Sequence, residues 1–175
     1  MLARTPQRRL RVGLIGAGFI GKMRAQALAK MPEMFQLSAV ADAREGLARS
    51  LGGPDTRVYA DGLALADDPH IDAVVLSTPP TSHSSLGVPC LSAGKHLLVE
   101  KPLASTVGEC EELVEAAEHS GVCLATGFTL RQTPAAKLAK RLLAEGAIGE
   151  LDHIRAFHGH KGARTSGPRG SRTVP

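Results

Sequence analysis

Six residues, Gly16 to Gly21 (GAGFIG), constrain this chain more than any others. They follow directly on the apolar run Leu10 to Ile15 and open a helical stretch. In a strand–turn–helix unit the three glycines have separate tasks. Gly16 permits the tight turn, Gly18 lets the backbone approach a pyrophosphate, and Gly21 allows the helix to lie close on the strand. The anion is expected on the open N–H groups of the helix N-terminus, with Phe19 and Ile20 beside it. A second apolar run, Gln36 to Asp42, ends in an acid 21 residues beyond Gly21, the spacing of a dinucleotide-binding fingerprint. Asp42 is expected to accept hydrogen bonds from the adenosine ribose, which favours NAD. Arg44, two residues on, would instead clamp a 2′-phosphate, so NADP stays open.

The rest of the chain continues the alternation. Asp72 to Ser77, His96 to Glu100 and Val122 to Thr126 are short apolar runs, as parallel strands buried on both faces require. Ile20, Met23, Ala27 and Met31 fall on one face of a first helix. Thr106 and Glu109 form a capping box ahead of a stripe of Val107, Cys110, Leu113, Val114 and Ala117, and Gly121 follows the helix end. Another helix opens with Thr133 and Pro134 and stops near Gly146. This pattern predicts an α/β fold, a doubly wound parallel sheet of the Rossmann type with right-handed crossovers.

Composition excludes several alternatives. Of 175 residues 43% are hydrophobic and 22% charged, the balance of a globular chain. Aromatics are 3% with no Trp, too few for a protein that stacks nucleic-acid bases. The net charge of +4 resides in residues 161–175, where Lys161, Arg164, Arg169 and Arg172 have no acidic counterpart. This tail is expected to be disordered and solvated, and no nucleic-acid partner is expected. Cys90, Cys110 and Cys123 lack metal-ligand spacing and read as free thiols in a reducing, cytoplasmic setting. No apolar run suits a membrane span or a secretory signal. His158 and His160 share a strand-like segment, Leu151 onward, but two ligands make no metal site, and none is expected.

STPPTSH (Ser77 to His83) and GKHLLVEKPLA (Gly94 to Ala104) narrow the reading further. With GAGFIG and AIGELDHI (Ala147 to Ile154), they resemble the glucose–fructose oxidoreductase / inositol dehydrogenase / MocA (Gfo/Idh/MocA) family. The resemblance runs from about Arg11 to His160. It implies hydride transfer between a nicotinamide cofactor and a sugar, polyol or related hydroxy compound, with a homo-oligomer left open. It also implies that Glu100 and Lys101 lie at the cofactor, with Lys101 the catalytic residue, and that Thr78, Pro79 and His83 line the cofactor cleft. Arg131, in GFTLRQTP, is implied either in a ligand contact or in a salt bridge between domains.

The departures are as informative. Arg24 stands where many members carry His. Gly87 and Pro89 interrupt an expected helix, where a kink or early break is predicted. Family members continue far beyond this point, so the chain reads as a truncated form. Residues 1–128 are expected to be the nucleotide-binding domain, 129–160 the start of a substrate domain, and 161–175 the tail. A non-catalytic dinucleotide-binding protein and an inactive gene fragment are the alternatives.

Overall fold

The short apolar runs pair into one parallel sheet. The computed structural model describes residues 8–157, and the chain divides into two units after Leu130. In the first, β1 (Leu10–Ile15), β2 (Phe35–Ala41), β3 (Arg57–Tyr59), β4 (Ala73–Leu76), β5 (His96–Val99) and β6 (Leu124–Thr126) lie in the order β3-β2-β1-β4-β5-β6. All neighbours pair in parallel. The connecting helices are α1 (Phe19–Ala29), α2 (Glu45–Leu51), α3 (Gly62–Ala66), α4 (His83–Ser92) and α5 (Val107–Ser120). The doubly wound Rossmann sheet expected from the alternation is present.

Strand alternation sends side chains into two cores. Val12, Leu14, Val40 and Val75 pack with Ala25 of α1 and Ala48 of α2. Ile15, Val74, Leu76, Leu97 and Val99 pack with Leu65 of α3, Leu91 of α4 and Leu113 of α5. Burying each large aliphatic side chain contributes roughly 1.5–3 kcal/mol. The capping box is formed: Thr106 Oγ1 accepts from Glu109 N at 3.2 Å, and Glu109 Oε2 accepts from Thr106 N at 3.0 Å. Gly121, at φ +64°, ends the helix in the left-handed conformation.

Two expectations are corrected, and the first helix turns away from its apolar stripe. The inward edge of α1 runs through Gly21, Ala25 and Leu28, while Ile20, Met23, Ala27 and Met31 are exposed. Packing of Gly21 against the Gly16 turn sets this rotation, and apolar periodicity does not. Pro89 does not break α4, which is continuous from His83 to Ser92. Gly87 brings the helix so close to its neighbours that a Cβ there would lie 2.6 Å from Leu113 Cδ2 and 3.0 Å from Leu97 Cδ2. This packing holds the helix despite the absent N–H. Finally, Leu151 to Phe157 form no strand, because no strand among the described residues pairs with them.

The second unit holds α6 (Pro134–Ala144), capped by Thr133 Oγ1, which accepts from Ala136 N at 3.3 Å. Gly146 follows at φ +68°, and Leu138 and Leu142 are exposed. The expected tail, His158 and His160 lie outside the described residues. No helix among the described residues is long and apolar enough to cross a membrane.

Candidate functional site

The strand order reverses between β1 and β4, and the C-terminal ends of these strands open a crevice where open α/β sheets bind ligands. Gly16 turns there at φ +95°, and a Cβ on it would lie 2.8 Å from the backbone carbonyl of Ser77. A Cβ on Gly21 would collide with the carbonyl oxygen of Gly16. A Cβ on Gly18 would meet nothing within 4 Å, so this backbone faces open space at the head of α1. The first turn of α1 carries no acid. Its N–H groups and the positive end of the helix are thus presented to an anion. These features fit a dinucleotide pyrophosphate.

Asp42 follows β2 and reaches back to this turn. Its Oδ2 accepts from Ala17 N at 2.8 Å, and its Oδ1 accepts from Arg44 N at 2.9 Å and Arg44 Nε at 3.1 Å. Burial would raise the Asp42 carboxyl. The hydrogen bonds from Arg44 and Ala17 outweigh burial and hold it below the ordinary carboxylate value. Beside it lies a cavity of about 400 Å³, lined by Gly16, Asp42, Arg44, Asp61, Thr78 and Leu86 among others. Asp61 was not singled out by sequence. It caps α3, accepting from Leu63 N at 3.0 Å, and places a second acid on the cavity.

The ends of β4 and β5 supply the next segments. Thr78 lines the cavity, and Ser82 Oγ donates to Thr78 Oγ1 at 2.8 Å, fixing the turn that carries Pro79. His83 lies elsewhere than expected. It is wholly buried and offers no surface to a cofactor. Its Nε2 is 2.9 Å from the carbonyl oxygen of Thr78, and its Nδ1 is 3.0 and 3.1 Å from those of Pro102 and Leu103. It therefore ties the two turns from behind. Lys101 is exposed, just beyond the C-terminal end of β5.

Glu100 is occupied by a partner that sequence reading did not supply. Arg24 Nε donates to Glu100 Oε1 at 2.6 Å, and the Nη2 of the same guanidinium bonds to that oxygen too. Arg24 stood out only as a departure from the resemblance. The two residues are 76 positions apart in sequence, and nothing local pairs them.

A family-wide sequence profile described as "Oxidoreductase family, NAD-binding Rossmann fold" matches residues 10–128. The chain belongs to the Gfo/Idh/MocA oxidoreductase family. Among its relatives, the levoglucosan dehydrogenase of Pseudarthrobacter phenanthrenivorans is 35% identical over 158 residues, 85% of this chain and 40% of that protein. The myo-inositol 2-dehydrogenase of Thermotoga maritima is 34% identical over 149 residues, 83% of this chain and 44% of the relative. The chain thus spans less than half the length of these Gfo/Idh/MocA proteins. Among solved structures, levoglucosan dehydrogenase in complex with NADH superposes with a TM-score of 0.75 at 35% identity, covering 81% of this chain and 41% of the other. GenD2 from gentamicin A biosynthesis, in complex with NAD, gives 0.74 at 30% identity, covering 82% and 41%.

Proposed function

We propose that this chain binds NAD(H) along Gly16, Gly18, Phe19, Ile20 and Gly21, with Asp42 at the adenosine ribose and Thr78 and Pro79 on the cleft wall. Residues 1–128 form this nucleotide-binding domain, and 129–160 begin a second one. The observation that carries the reading is the open first turn of α1 lying against a carboxylate, with Ala17 N donating to Asp42 Oδ2 at 2.8 Å. Asp42, Asp61 and the Arg44 guanidinium line one cavity, and Arg44 is paired with Asp42. That balance repels a 2′-phosphate and favours NAD over NADP modestly, with Arg44 as the foothold NADP would use.

The reaction is hydride transfer with a sugar, polyol or related hydroxy compound, the substrate class suggested by the levoglucosan and inositol dehydrogenases it resembles. The nicotinamide, when bound, takes up or returns the hydride. An alcohol that loses hydride develops alkoxide and then carbonyl character at its oxygen. The Lys101 ammonium stabilises that charge from a fixed position. Glu100 holds the strand end that presents Lys101, and His83 fixes the turn beyond it. The cytoplasm suits the three free thiols, of which Cys90 is buried and its thiol is pushed up to about 12 by that burial. Self-association through exposed Leu138 and Leu142 belongs to the same reading and is read by light scattering.

The test is titration with NADH and NADPH while following nicotinamide emission, which no tryptophan of this chain obscures. A saturable response, tighter for NADH, is expected. Emission that rises without saturation for both would overturn the proposal.

A further inference from the structure

Lys101 stands between two fixed points. On one side Arg24 holds Glu100, with the two side chains only 23% and 13% exposed. Glu100 N also donates to Leu76 O at 2.9 Å, which secures the strand end. Gly127 closes over the pair: a Cβ there would lie 3.1 Å from Arg24 Nη2 and 3.1 Å from Glu100 Oε2. On the other side, the carbonyl oxygens of Pro102 and Leu103 meet the buried His83 ring. Lys101 faces solvent, as does Pro102, while the Glu100 side chain and the carbonyl oxygens of Pro102 and Leu103 are held.

The two anchors have different origins. His83 belongs to α4, next to the turn it braces. Arg24 belongs to α1, the helix whose first turn receives the pyrophosphate. A guanidinium shielded from water interacts with a carboxylate more strongly than an exposed pair does, and its planar fork fixes direction as well as distance. A shift of α1 on binding an anion is therefore passed to Glu100 and to the residue after it.

We propose that Arg24 is a positioning residue which, through Glu100, couples cofactor occupancy at the head of α1 to the placement of Lys101. The proposal rests on the NAD(H) reading above. Glu100 enters the proposal through its ion pair with Arg24, which engages Glu100 Oε1.

The readout is acylation of Lys101 by trace acetic anhydride, mapped by peptide mass spectrometry with exposed Lys140 as internal reference, with and without saturating NADH. In the unsubstituted chain NADH is expected to slow labelling of Lys101 by about tenfold, the scale of one coupled contact. Arg24→Gln alone leaves a buried carboxylate unpaired and risks unfolding. The decisive variant is therefore Arg24→Gln with Glu100→Gln, which removes both charges. Its NADH affinity is measured in parallel and labelling is compared with each protein saturated, so that a loss of affinity is separated from a loss of coupling. Its protection of Lys101 is expected to drop below about twofold. Arg24→Lys, which keeps the charge, is expected to recover part of the protection.

Full protection in the double variant overturns the coupling. So does protection that disappears only in step with NADH affinity, because Arg24 would then be merely structural. Failure of the unsubstituted chain to bind NADH overturns the functional reading itself, and the coupling with it.

Discussion

Ala17 N donates to Asp42 Oδ2 at 2.8 Å, so the glycine turn after β1 and the acid after β2 are one unit. In the proposed binding mode, the acid assigned to the ribose also fixes the backbone assigned to the pyrophosphate. Each half of the dinucleotide would then feel a change at the other.

Asp42→Ala is accordingly expected to weaken NADH by about 10- to 100-fold, the worth of a charge-assisted hydrogen bond. NADPH should lose less, which narrows the preference. Parallel titrations of the two nucleotides check this, and an unchanged ratio of affinities means that Asp42 does not read the ribose.

Two glycine substitutions separate binding from folding. Gly18→Ala puts its methyl into open space and, at φ −69°, strains nothing, so its melting temperature should match the parent's while NADH binding falls. Gly21→Ala drives a methyl into the Gly16 carbonyl and should destabilise the fold by about 1–3 kcal/mol or more. Thermal melts and NADH titrations of both variants decide it. Normal NADH affinity in Gly18→Ala would show that the ligand does not approach there.

At the opposite pole of the sheet, Asp72 accepts from Arg11 Nε at 3.1 Å, from Arg11 N and Nη2 at 2.8 Å, and from Arg8 Nη2 at 2.8 Å. The hydrogen bonds from the Arg11 side chain, against the effect of burial, hold its carboxyl well below the usual carboxylate range. A lowered folded-state value means stability that is complete above the unfolded value of about 3.9 and disappears as pH falls through the folded one. Asp72→Asn should cost about 2 kcal/mol at neutral pH and nothing in strong acid. Urea melts across that range test it, and a pH-independent difference would count against the assignment. NADH affinity at neutral pH should not change.

Lys101→Ala removes an exposed side chain and should leave stability within about 0.5 kcal/mol of the parent. A calorimetric scan checks this. Early unfolding would make Lys101 a folding residue and remove the basis for its role in hydride transfer.

Much of this was legible in the sequence, for identifiable reasons. β1 matches the expected run from Leu10 to Ile15, and both termini of α5 follow from Thr106, Glu109 and Gly121, because these signals are local. β3 escaped notice: Arg57–Tyr59 is three residues long and lies at the sheet edge, too short for a period to show. The rotation of α1 does not follow its apolar stripe, because one close backbone approach at Gly21 outranks four apolar side chains. At the site, the glycines and Asp42 occupy neighbouring positions in the crevice. His83 and Glu100 proved to be engaged from behind, by Thr78 and Pro102 carbonyls and by Arg24. Pro102 and Arg24 stand 19 and 76 residues from the side chains they engage, and no spacing rule encodes such pairs.

Pro89 inside α4 has a consequence for how the molecule assembles. The segment from His83 to Ser92 contains two serines near its start, a glycine in the middle and a proline that cannot donate, so its own helical tendency is poor. As a free peptide it should be coil by circular dichroism. Its helix is expected to depend on Leu113 and Leu97, against which Gly87 packs. In a growing chain these partners are made later than α4 itself, so α4 should consolidate late, after α5 has been synthesised and docked.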